Sequence, residues 1–446
     1  MKKSALLLLL ATSAASLFGA QAWVNSVQNT STSTHLTKIN DANAKGDQVF
    51  LQFNGAGTLT VDTSVSVENV VFGAGSTNVS PAYVQINEGQ TLSVNGMGAN
   101  TARPASNITF QGDGTFVVRS QWLTFEKSGS GDGEPQYYAF NQKGALDITN
   151  KIITVKNNNF VEMNAVKMTS EPGVTVALIG NSSLFLNNVG KEQLHFKNTK
   201  LSDSAYFSFN SATAMVSGTT VFNDGTRFEF NNANGTAVLS SFSVSGNLTL
   251  NKVQASQMAT QVFIEDGATF VSNADEASVY VKQFILKKGT LQLNTSNAFY
   301  GSSNSRPTVS IARAGAKIIL GADNDFGDMN IYKSGTNAAG TLFLTLGGNN
   351  ASFNKIKIED ANAMMYITDF VEGLLFVNSE LATNEDDSLL NIYSVELDDA
   401  GNILSQSKLY QNESGYITAI AVPEPAEWAL IFGAIALGFI AYRRRK

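Results

Sequence analysis

GNLTLNKV (246–253), DGATFVS (266–272), GTLQLNT (289–295), AGAKIILG (314–321) and GTLFLTLGG (340–348) are five short runs in which apolar and polar residues alternate close behind a glycine. Alternation with period two puts every second side chain on one face, which is the pattern of a half-buried strand. The glycines Gly246, Gly267, Gly289, Gly315 and Gly340 recur at intervals of 21, 22, 26 and 25 residues. A period of 20–50 residues points to a repeat architecture. With short strands as the repeating unit, that architecture is a parallel β-helix in which each coil buries its inward residues against the next.

The same pattern extends toward the N-terminus, in runs at 57–72, 83–96, 106–120, 144–157, 173–188 and 218–232, and long helical periodicity is absent from the body. The fold expected is therefore all-β, with a solenoid body over 23–380. A stack of β-sandwich domains is the alternative, since it uses similar strands at closer spacing. Asn-rich turns at 157–159, 187–188, 231–234 and 349–350 could stack side-chain amides between coils, but their uneven spacing does not establish a ladder. Residues 381–421 read differently: two strands around Asp398-Asp399-Ala400-Gly401-Asn402 and a third after them form a small antiparallel meander. Such an atypical terminal unit suits the open end of a repeat array.

The chain has 446 residues, 30 Lys and Arg against 37 Asp and Glu, and a net charge of −7. Residues 1–22 and 423–446 hold six of the cations and two of the acids, so the middle carries 24 cations and 35 acids, about −11. An acidic body does not suit a phosphate backbone, and nucleic acid is excluded as a partner. With no cysteine there is no disulfide, thiolate nucleophile or Cys-ligated zinc. The two histidines, His35 and His195, lie far apart in sequence and argue against a His-rich metal site.

Both ends carry targeting features. MKKSALLLLLATSAASLFGAQA (1–22) has a basic start, an apolar stretch and a small-x-small site at Ala20-Gln21-Ala22, which is the order of a secretory signal peptide cut before Trp23. Such a peptide implies passage through the Sec translocon. At the other end, Trp428 to Tyr442 is fifteen residues without a charge. As a helix it is about 22 Å long, short for a hydrocarbon core of about 30 Å, though flanking Arg side chains can snorkel. Trp428 and Tyr442 sit at its ends as interfacial aromatics do, and Arg443, Arg444, Arg445 and Lys446 orient it with the body outward.

Val422-Pro423-Glu424-Pro425, the apolar run 428–442 and the Arg-rich end together resemble the PEP-CTERM protein-sorting tail. The resemblance covers 25 residues. It implies a bacterial host with an outer membrane and exopolysaccharide, and recognition by an exosortase that cuts near Pro-Glu-Pro and releases or transfers the body. Independently, each proline pushes its preceding residue out of the helical region, so this stretch is extended and accessible. A plain C-terminal anchor behind a proline linker is the alternative. The glycine-punctuated body is also diffusely similar to autotransporter β-helix passengers, although no C-terminal barrel pattern follows it.

The function expected is that of a structural or adhesive protein of the cell surface or extracellular matrix, with exopolysaccharide as a candidate partner. No cofactor, catalytic residue or metal ligand is assigned. The alternative is a secreted polysaccharide lyase or hydrolase, which would need two carboxylates about 5–9.5 Å apart. GADNDFGDMN groups Asp323, Asp325 and Asp328 with Asn324 and Asn330, a cluster of oxygens that calcium could use. It lacks the sixth-position Gly and twelfth-position Glu of an EF-hand, and a polar turn between coils is the preferred reading.

Overall fold

The computed structural model describes residues 21–419 apart from interruptions at 27–29, 46, 54–56, 68, 73–81, 95–107, 120–121, 126–136, 149–150, 156–159, 171–172, 180, 189–192, 203, 233–236, 302–304 and 380–390; of the rest only Ile435 is described. Among these residues the fold is all-β with little helix, a β-solenoid of about 11 turns. It divides into two compact units. One comprises the chain up to Gln283 with Ala298–Asn304, and the other comprises Phe284–Asn297 with the chain from Ser305.

In the first unit each coil has three short strands, and each strand pairs in parallel with its counterpart in the next coil. On one side Ser183–Asn188, Tyr206–Asn210 and Arg227–Asn231 follow one another in register. On the second side residues 194–196 pair with 214–216, these with Ser241–Val244, and these with 261–264. On the third, residues 199–201 pair with 220–222, these with 248–250, and these with 270–272. Coils are therefore about 4.8 Å apart. The inward residues of the alternating pattern fill the interior. The nine largest fully buried side chains among the described residues are all phenylalanine, and seven of them fall between Phe196 and Phe242. Phe209 stacks on Phe230 at 4.2 Å, and Phe230 on Phe242 at 5.4 Å.

The corner entering the third side requires glycine. A Cβ on Gly218 would stand 1.9 Å from the Lys197 carbonyl oxygen, and one on Gly246 would stand 2.2 Å from the Gly218 carbonyl oxygen. Other glycines of the 21–26-residue series serve different purposes. Gly267 has φ +73 with open space around it, and Gly315 has φ +88 at a register shift. Their spacing tracks coil length, and they do not form one column.

Amide ladders are present, although mostly away from the Asn-rich turns. Asn251 donates to Asn223 (3.2 Å), and Asn273 donates to Asn251 (2.9 Å). Of the four turns, 157–159 lies outside the described residues, Asn187 and Asn188 lie within a strand, Asn231 ends one, and 349–350 is a turn.

One element differs from the expectation of no long helix in the body. Thr32–Ala44 is helical and buries only Thr32, Ile39 and Ala42. Three buried positions in thirteen leave almost no periodic signal to read. The helix packs on the strands Gly57–Val61 and Val65–Val67. Its first turn is capped from outside: Asp62 accepts from the Ser33 backbone N–H (2.8 Å), the Ser33 hydroxyl and the Thr32 hydroxyl (3.0 Å). Partial desolvation would raise this carboxyl, but the hydrogen bonds from Ser33 and Thr32 outweigh it and hold it at about 2, below its ordinary 3.8. A depressed carboxylate contributes stability that is fully present above its unfolded value and is lost as pH falls through the folded one. Melting temperature of the parent chain is therefore expected to fall toward that of Asp62→Asn between pH 4 and pH 2. A constant difference over that window would refute the cap.

The second unit repeats the three-sided arrangement. Residues 290–293, 317–320, Thr341–Thr345 and Met364–Ile367 follow in parallel along one side. Along another, 324–326, 351–353 and Leu375–Val377 do so, with Phe326 stacked on Phe353 at 4.8 Å. Ile392–Leu397 continues the first of these sides by pairing in parallel with Met364–Ile367, and it pairs antiparallel with Ile403–Lys408. The intervening turn uses Asp398 to hold the Asn402 N–H (2.7 Å) and side-chain amide (2.9 Å), with Gly401 at φ +82. The strand that opens the antiparallel hairpin thus belongs also to the solenoid sheet.

Candidate functional site

Outward positions of a coil are the second set of the alternating pattern, and in a solenoid they form columns along the axis. On the first side of the first unit three adjacent columns can be followed. Tyr137, Phe160, Ser183, Tyr206 and Arg227 occupy one set of register positions. Ala139, Glu162, Phe185, Ser208 and Glu229 occupy the next. The third holds Gln85, Gln111, Asn141, Asn164, Asn187, Asn210 and Asn231, seven amides in seven consecutive coils.

Three rings cross between the first two columns. Phe185 lies 4.7 Å from Phe160 and 4.9 Å from Tyr206, edge-on to the latter. All three are half-buried, although they stand at outward positions. The Arg227 guanidinium lies over the Tyr206 ring at 5.2 Å and also pairs with Glu229. The Tyr206 hydroxyl donates to Glu229 (2.8 Å). Burial first, and then this hydrogen bond, push the tyrosine hydroxyl up to about 12, so it remains a neutral donor throughout the physiological range. The arrangement offers an apolar strip with flanking hydroxyl, carboxylate and amide groups. It suits binding through ring contact and hydrogen bonds.

The second unit carries another outward aromatic column, Phe343, Tyr366 and Tyr393, with centroids 5.3 and 6.1 Å apart. Its rings are less available, as Tyr366 is 9% exposed.

The acids considered for calcium do not converge. Asn324–Ile331 is a strand, not a turn. Asp323 accepts from the Asn350 side chain (3.0 Å) and backbone N–H (2.7 Å), which hold its carboxyl below the ordinary range. Asp325 accepts from Ser352 and Asn297 and faces Arg306 at 3.6 Å. Asp328 accepts from the Asn354 amide at 2.7 Å. Asp323 and Asp328, and Asp325 through Ser352, are thus tied to the coil that follows. Among the described residues no group of His, Cys, Asp and Glu could hold a metal ion.

His35 lies on the helix Thr32–Ala44, its Nε2 3.1 Å from the Thr30 hydroxyl. His195 lies on the strand Leu194–Leu201 between buried Leu194 and Phe196. Of the signal-cleavage residues, Ala22 is described and pairs with Val49 in the parallel strand pair Gln21–Ser26 and Gln48–Phe53, while Ala20 lies outside the described residues. Val422, Pro423, Glu424, Pro425, Trp428, Tyr442, Arg443, Arg444, Arg445 and Lys446 lie outside them too, as does the expected helix 428–442 save Ile435. Among the described residues no helix is long and apolar enough to cross a membrane. The aromatic and amide columns escaped the sequence reading because coil lengths vary between neighbours. Only pairwise register aligns Asn141, Asn164, Asn187, Asn210 and Asn231. No known protein-family model, curated protein or solved structure matches this chain.

Proposed function

We propose that this chain is an exported structural or adhesive protein of the cell surface or extracellular matrix. Its body would reach that location through a signal peptide ending at Ala22 and a C-terminal sorting signal at Val422-Pro423-Glu424-Pro425 that an exosortase cuts. The observation that supports this reading best is the solenoid itself, with outward residues arranged as long repeated columns. Extended faces of this kind suit attachment along a polymer or a surface. The chemistry of the first-unit columns weighs against hydrolysis: Glu162 and Glu229 share one column but lie three coils apart, on the order of 14 Å, beyond the reach of a glycosidase pair.

The test is the C-terminus of the mature protein, by intact mass and C-terminal peptide mapping from fractionated cells. The expected result is a chain lacking everything after the Pro-Glu-Pro region, in the surface or medium fraction. Retention of Arg443 to Lys446 in an inner-membrane fraction would make the tail a plain anchor and leave the body at work in the periplasm.

A further inference from the structure

We infer that the first-unit face carrying Phe160, Phe185 and Tyr206 binds a linear, neutral polysaccharide. The inference rests on the surface reading above and gives it a ligand class and a site. Three features select that class. First, the rings form a strip running along the solenoid axis, one coil per step, with the hydroxyls of Ser183 and Ser208 in the places the rings leave vacant. A polymer of sugar rings alternates apolar C–H patches with hydroxyls along its length, and a strip of alternating rings and hydroxyls matches it. Second, the amide column beside the strip continues through seven coils, about 4.8 Å apart. A site that repeats at constant pitch suits a ligand that also repeats, rather than a compact one. Third, the charge is balanced. Arg227 is paired with Glu229, and the amides carry no charge, so this face offers an anionic chain no net attraction.

Aromatic columns also stabilise neighbouring strands, and that role alone would not require hydrogen-bonding columns on either side. The test separates the two. The full chain is run by affinity electrophoresis in gels containing dextran, hydroxyethylcellulose or galactomannan, with alginate as the anionic contrast. Retardation by at least one neutral polysaccharide is expected. Phe185→Leu and Tyr206→Leu, which keep apolar bulk but lose the flat ring, should weaken it at least tenfold while melting within a few degrees of the parent. Phe185→Tyr should retain it. If the Leu variants do not fold, Ser183→Arg, at a half-buried outward position, lays a long side chain across the strip and should abolish retardation.

Three outcomes overturn the inference: no retardation in any neutral gel, retardation by alginate alone, or retardation that these substitutions leave unchanged. Any of them leaves the surface reading standing if the mature protein is cut and surface-located. An uncut tail in the inner membrane removes that reading whatever the gels show.

Discussion

Phe230→Ala should destabilise the first unit by about 3–5 kcal/mol, the usual cost of emptying a large buried aromatic site. Phe230 is 1% exposed and meets Phe207, Phe209, Phe222, Phe228 and Phe242 with centroids between 4.2 and 6.3 Å. These rings come from three coils, so no single neighbour can close the cavity by moving. Phe230→Leu retains much of the apolar volume and should cost about 1–2 kcal/mol. A solenoid contacts itself only coil to coil, so stability is close to a sum of local terms. Loss of amide protection in hydrogen exchange is therefore expected to centre on residues 206–250 and to leave strands such as Thr91–Val94 unchanged. Uniform loss of protection through the unit, or a melting temperature within about 2 °C of the parent, would sink the prediction.

That local energetics also explains what the sequence disclosed. The runs at 246–253, 266–272, 289–295, 314–321 and 340–348 all contain strands, because inward and outward residues alternate without interruption there. The Asp398–Asn402 turn was legible for a similar reason, since Asp, Gly and Asn each have a specific use in a tight turn. The helix Thr32–Ala44 was not legible, because its ends are fixed by Asp62, thirty residues away, and not by its own cap.

Register was the larger gap. Coil length depends on how many residues each corner takes: Tyr206 to Arg227 is one coil, and so is Phe222 to Leu250. Nothing in a single sequence states which residue of one run faces which residue of the next. The candidate site, being a column property, was hidden for that reason. The Asp323–Asp328 cluster was visible because it is local, but its acids proved to be tied between coils.

Gly218→Ala should cost about 3 kcal/mol or more, and the reason is space rather than backbone freedom. A Cβ there would lie 1.9 Å from the Lys197 oxygen and 2.5 Å from the Asn198 side-chain oxygen. Both atoms are fixed by the pairing of coils. The Asn198 oxygen accepts from the Thr219 N–H (3.0 Å), and Gly218 presents its own carbonyl to the Asn247 N–H (2.9 Å). Backing the corner away from Lys197 breaks those bonds, so overpacking is compounded by unpaired polar groups. Gly267 is the contrasting case. Its φ is +73 with nothing within 4 Å, so Ala costs only the left-handed strain, about 1–2 kcal/mol. Asparagine tells the two mechanisms apart, because it tolerates the left-handed region but still carries a Cβ. Gly267→Asn should melt close to the parent, and Gly218→Asn should be at least as damaged as Gly218→Ala. If Asn rescues position 218, or if Gly218→Ala melts like Gly267→Ala, the corner is not closed by coil-to-coil contact, and the close approach at Gly246 loses its explanation as well.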